Sequence, residues 1–213
     1  YKTYLTLLDA PEANAAPVYH HLQLQIGQVA SALGMQDISL ASLQEAILAN
    51  PDDLEAYQIL AEAYQTAGLT DEGLKAANSA LQIDPSNLGN LLWFSAFASR
   101  NQNTHEAIQV LKDAIHLRPD EKALYLALAR TYTGIGYIDE AKSIMDKMLA
   151  LEHVSTEEYI NVANLYMHLD DPEEATQVIR KAISTNANPD FEESRDLAYS
   201  VLSLGDAPAA LTL

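Results

Sequence analysis

Catalysis needs a few reactive side chains held at fixed spacing, and this chain offers few. His20 and His21 stand side by side, and paired imidazoles can ligate a metal. No further ligand follows at a suitable spacing, so both read as surface histidines. His105, His116, His153 and His168 are scattered and form no constellation. Gly134-Ile135-Gly136 has the glycine spacing of a phosphate loop but introduces no strand-to-helix crossover. There is no cysteine, which removes disulfides, thiolate metal sites and a cysteine nucleophile. Neither Gly-x-Ser-x-Gly nor His-Glu-x-x-His occurs. Asp52-Asp53, Asp139-Glu140 and Glu173-Glu174 are paired carboxylates, the residue type used in general acid–base work. Each pair falls near an expected helix start, where complementarity to the helix dipole accounts for it. No catalytic residue, cofactor site or metal site is expected.

The bulk composition limits partners in a similar way. The 213 residues are 48% hydrophobic, enough to bury a core. No apolar run approaches the roughly 18–20 residues of a membrane helix, and no signal-peptide pattern opens the chain. Thirty acidic residues against twelve basic ones give a net charge of −18. Nucleic acid is therefore not expected as a partner, because phosphate binding needs clustered Lys and Arg. Anionic lipid is disfavoured for the same reason. A basic partner would be attracted by the field. The compartment is left open between cytoplasm and periplasm.

What positions the side chains is a repeat. Pro51, Pro85 and Pro119 lie 34 residues apart, each just ahead of an amphipathic helical pattern. In that frame the first helix reads Tyr57-Leu60-Ala61-Tyr64, Leu91-Phe94-Ser95-Ala98, Tyr125-Leu128-Ala129-Tyr132 and Tyr159-Val162-Ala163-Tyr166. Upstream, Gln23, Ile26, Gly27 and Ala30 keep the register. Large residues three and four apart make one apolar stripe. Small residues beside it admit a second helix. Three small columns follow the frame: Gly27, Ala61, Ser95, Ala129, Ala163; then Ser39, Gly73, Ala107, Ala141, Ala175; then Ala46, Ala80, Ala114 and Ala182, interrupted by Met148. Gly34, Gly68 and Gly136 mark turns that need a left-handed backbone. Thr70 reads as the cap of one second helix and Asp171-Pro172 as the start of another.

These residues and their spacing resemble the tetratricopeptide repeat family over most of the chain. The resemblance implies an all-α fold, a right-handed superhelix or α-solenoid of antiparallel helix pairs. Repeats are expected at 20–53, 54–87, 88–121, 122–155 and 156–190, with a partial sixth at 191–213. Residues 1–19 read as an N-terminal flank or linker, or the end of a preceding element. His153 stands where Pro is expected, so altered packing is expected between the fourth and fifth repeats. The chain opens at Tyr1 without Met, so a longer parent protein is expected.

The resemblance further implies a scaffold for protein–protein interaction without catalysis of its own, holding a peptide or partner domain in a concave groove. In bacteria such modules often belong to assembly or secretion machinery. Carried over position by position, the lining includes Gln58, Leu92, Leu126 and Ile160 in one column and Glu62, Ala96, Arg130 and Asn164 in another. Ser99 and Thr133 fall in a third. Leu92, Leu126 and Ile160 are expected to form an apolar strip, and the partner to present a basic or apolar segment. Two other readings accompany this one: a recruiting or regulatory arm of an enzyme whose catalytic domain lies outside the chain, and a self-assembling structural module.

Overall fold

The computed structural model describes residues 16–185, with Arg195, Leu197 and residues 199–201. The described residues form helices and loops, without strands. The chain divides into two compact units, Tyr1–Asn103 and Thr104–Leu213. The expected partial repeat at 191–213 falls almost wholly outside the described residues, as does most of the expected flank at 1–19.

The first unit contains α1 (Ala16–Ala32), α2 (Gln36–Ala49), α3 (Leu54–Thr66), α4 (Thr70–Ile83) and α5 (Leu88–Arg100). The first helix thus begins four residues inside the segment expected as a flank. Consecutive helices pack on one another, most extensively α1 on α2 and α3 on α4. The small columns explain the close approach. Gly27, Ser39, Ala46, Ala61, Gly73, Ala80 and Ser95 are all buried. A Cβ on Gly27 would stand 2.5 Å from Cγ of Leu43, and one on Gly73 would stand 3.1 Å from the Ala61 carbonyl oxygen. The Ser39 hydroxyl donates to the Gly27 carbonyl at 2.9 Å and ties α2 to α1 at the contact.

The loops repeat one pattern. At the internal turns Gly34 and Gly68 have φ of +72° and +76°, and the next residue's N–H bonds back to the helix. Met35 donates to the Ala30 carbonyl and Leu69 to that of Tyr64. Gln102 takes the same left-handed conformation, with φ +63°, and Asn103 donates to Ala98. Between α2 and α3, Asp53 N–H bonds to the Asn50 carbonyl around Pro51; Asn87 does the same with Asp84 around Pro85. Proline's fixed φ suits the second position of such a turn. Asp53 and Asn87 then cap α3 and α5. Thr70 is not a cap: the N-cap is Leu69, which makes no side-chain bond, and Thr70 is the first helical residue.

The second unit contains α6 (Thr104–Leu117), α7 (Lys122–Gly134), α8 (Ile138–Leu149), α9 (Thr156–His168) and α10 (Pro172–Thr185). Here α7 packs on α6 and α8, and α9 on α10 and α7. Ala107, Ala114, Ala129, Ala141, Ala163, Ala175 and Ala182 are all buried. Met148, the large residue in a small column, is 1% exposed and joins the same core as Tyr159, Val162 and Ile179. Leu197 and Val201 also belong to that core. The stretch between α8 and α9 departs from the loops that hold Pro51, Pro85 and Pro119: it lacks Pro, and His153 adopts φ +55°. A capping box of Ser155 and Glu158 restarts the chain at α9. At the internal turns Gly136 and Asp170 have φ of +76° and +57°.

Candidate functional site

Side chains of the first helices divide into those used in packing and those left to solvent. In the first unit Gln58, on α3, donates to the Asn90 side-chain oxygen on α5 at 3.0 Å. Asn90 is 2% exposed and donates in turn to the Ala80 carbonyl of α4 at 2.8 Å. It is a buried link among three helices, which satisfies its polar atoms where a loss would cost stability. Sequence reasoning missed it; a lone Asn near a helix start gives no such signal. Leu92 is half-buried, and Ala96 and Glu62 are exposed. Glu62 accepts from the indole N–H of Trp93 at 3.3 Å, and that ring stacks on Phe97 at 5.2 Å. A carboxylate and a partly exposed aromatic face thus stand together beside Ala96.

In the second unit Arg130, exposed on α7, donates to the Asn161 side-chain oxygen on α9 at 2.9 Å. One of its five N–H donors is committed there. Asn164 is exposed on the same helix as Asn161. Ile160 is half-buried and packed against the core. Leu126, expected as part of an apolar strip, is only 9% exposed and lies within the core with Tyr125, Ala129 and Tyr159. Its aliphatic surface is largely consumed by the chain's own packing. Ser99 Oγ in the first unit and Thr133 Oγ1 in the second are buried and meet no hydrogen-bond partner.

The residues first weighed for chemistry have structural work. His20 is not a surface histidine. Its Nε2 lies 2.6 Å from Asp53 Oδ2 and its Nδ1 2.9 Å from the Ala46 carbonyl oxygen, which ties α1 to the end of α2 and the cap of α3. His21 is exposed and bonds Gln25 on its own helix. Among the described residues no three His, Asp or Glu side chains converge on a metal-sized site. No described helix is long and apolar enough to cross a membrane. In the second unit Lys142 reaches Asp171 at 2.5 Å. Its hydrogen bond to Asp171 holds the Lys142 ammonium charged to higher pH than usual. The same bond, with the backbone bond from Glu174, holds the Asp171 carboxyl below the usual range. Burial, and then Asp146, push the Tyr166 hydroxyl far up, so it stays a neutral donor to Asp146 at 3.3 Å.

The geometry of helix pairs, buried small columns and left-handed turns has a counterpart in known proteins. Tetratricopeptide repeat profiles match residues 24–87, 98–162 and 159–189. The chain belongs to the tetratricopeptide repeat family. A relative from Bacillus subtilis (strain 168), the TPR repeat-containing protein YpiA, is 25% identical over 92% of this chain and 43% of its own length. The chain thus spans less than half of that relative. A crystal structure of a thermophilic TPR protein from Thermus thermophilus is 26% identical, with a TM-score of 0.50, covering 86% of this chain and 99% of that one. A tetratricopeptide repeat protein from Parabacteroides merdae ATCC 43184 matches with a TM-score of 0.60 at 19% identity, covering 98% of this chain and 80% of that one. At that identity the likeness is one of fold alone.

Proposed function

We propose that this tetratricopeptide chain is a protein-interaction scaffold, without catalysis of its own, that binds a peptide segment or partner domain on its first-helix faces. The observation that carries the reading is the division of labour within those helices. The small positions are buried without exception, while Glu62, Ala96, Arg130 and Asn164 stay exposed at repeating positions. Beyond the single bonds of Glu62 to Trp93 and of Arg130 to Asn161, these exposed side chains are not consumed by packing, so their further use is sought outside the chain. Glu62 beside Trp93 suits a basic side chain, through charge and the aromatic face. Arg130 with Asn161 and Asn164 suits a backbone carbonyl or a carboxylate.

The test uses defined probes. Fluorescence anisotropy is measured for the full chain against peptide pools that are basic, acidic or apolar. Basic peptides are expected to bind and to lose affinity at least tenfold with Glu62→Lys, with helix content unchanged. Ala96→Asp, which adds an acid at an exposed neighbour, is expected to tighten the same peptides. Equal affinity of wild type and both variants for every pool would overturn the reading.

A further inference from the structure

The first helix carries a second apolar face that none of the packing among the described residues uses. Gly27, Leu24 and Ala30 are buried, and Gly27 meets Leu43 of α2. The other side of α1 presents Val18, Leu22, Ile26 and Val29, with Leu33 just past its end, spaced by threes and fours so that they form one stripe. Val18 and Val29 are each 59% exposed and Leu33 is 68% exposed. Met35 and Ile38 extend the stripe onto α2, and with Leu22, Ile26, Val29 and Leu33 they line a cleft of about 400 Å³. Contiguous exposed apolar surface of this kind marks an interaction site.

The charge pattern says what covers it. Between Glu12 and Asp37 the sequence holds no Asp, Glu, Lys or Arg, in a chain with 30 acidic and 12 basic residues. A basic partner gains nothing from a face without carboxylates. Two copies of this chain, each at −18, repel one another over most of their surface. They can approach closely only where neither is charged. A stripe running the length of one helix is also self-complementary about a two-fold axis, with two α1 helices antiparallel. We propose that the outer face of α1 is a self-association surface, on which a second copy of the chain packs its own α1.

Sedimentation velocity of the full chain, from micromolar to millimolar concentration and at low and high salt, tests this. The expected result is a reversible rise from the 23.3 kDa monomer toward twice that mass. Added salt should strengthen the association, since it screens like charges. Leu33→Glu and Val29→Glu should each weaken it at least tenfold while leaving the circular dichroism spectrum unchanged, because both side chains are exposed. Leu117→Glu, an 80% exposed apolar residue on α6, should leave it unaltered. A mass that stays monomeric throughout overturns the proposal. So does a dimer that survives Leu33→Glu, or one that salt dissolves.

Discussion

One substitution, Gly→Ala, should act with three different outcomes at three glycines, because three different constraints hold them. At Gly27 an added Cβ would lie 2.5 Å from Leu43 Cγ and 2.7 Å from Cδ2, and Leu43 is fully buried. The leucine must move by most of an ångström within the buried α1–α2 contact. Such overpacking costs roughly 1–3 kcal/mol. Alanine's better helix propensity returns about 0.8–1 kcal/mol. The net effect of Gly27→Ala is a loss of up to about 2 kcal/mol. At Gly68 nothing lies within 4 Å, but φ is +76°. There the cost is the left-handed backbone alone, roughly 1–2 kcal/mol. At Gly134, the last residue of α7, nothing lies within 4 Å and the backbone is not left-handed. Gly134→Ala should therefore stabilise, by about 0.4–1 kcal/mol. Urea unfolding followed by circular dichroism reads all three. If Gly27→Ala stabilises as much as Gly134→Ala, the small column is not there to admit a neighbouring helix, and the packing argument falls.

Gln102→Gly and Asp170→Gly, at the two internal turns where a left-handed residue is not glycine, should each raise the urea midpoint; relief of roughly 1–2 kcal/mol of strain outweighs the roughly 0.5–1 kcal/mol of extra chain entropy. His20→Ala should destabilise the first unit by about 1–2 kcal/mol, because it strips a part-buried link to Asp53 and the Ala46 carbonyl; a midpoint equal to wild type would show that the link carries no energy. Asp171 titrates below its unfolded value, so its contribution is complete above the unfolded carboxylate range and is lost as pH falls through the lower folded value. The acid limb of a stability–pH curve should accordingly flatten in Asp171→Asn, and an unchanged limb would remove the Lys142–Asp171 pair from the account. Ala129→Trp, at a position 1% exposed in the core, should lower stability by roughly 1–3 kcal/mol or more, whereas a wild-type midpoint would mean the core has room there.

The frame of small residues was legible because it depends on residue size at fixed spacing, and size is written in the sequence. Fifteen positions in three columns are buried, Met148 among them. The left-handed turns were legible only where glycine announces them. Gln102 and Asp170 occupy the same turn without the glycine that would announce it. Asn90 and His20 were illegible for a related reason. Each is held through partners about ten to thirty-three residues away, and nothing local distinguishes such a residue from an exposed one.

Leu126 shows where a repeat frame stops predicting. The frame says which side of a helix a residue occupies, but burial depends on what the next helix brings to that side. In the second unit Leu126 shares a core with Tyr159 and Val162 of α9, so only 9% of it meets solvent. A charge placed there would enter an apolar site, at a cost that shifts the folding equilibrium before any partner is sensed. Leu126→Glu therefore measures stability, not recognition. Arg130 and Asn164, exposed on the same two helices, are the positions where a change can alter binding with the fold intact. Arg130→Ala is the sharper of the two. It also releases Asn161, whose oxygen then faces water and costs little. A loss of peptide affinity in Arg130→Ala at unchanged unfolding midpoint would locate recognition on the polar residues of α7 and α9; a loss of stability of several kcal/mol with unchanged affinity would make the Arg130–Asn161 bond a structural brace and remove it from the binding surface.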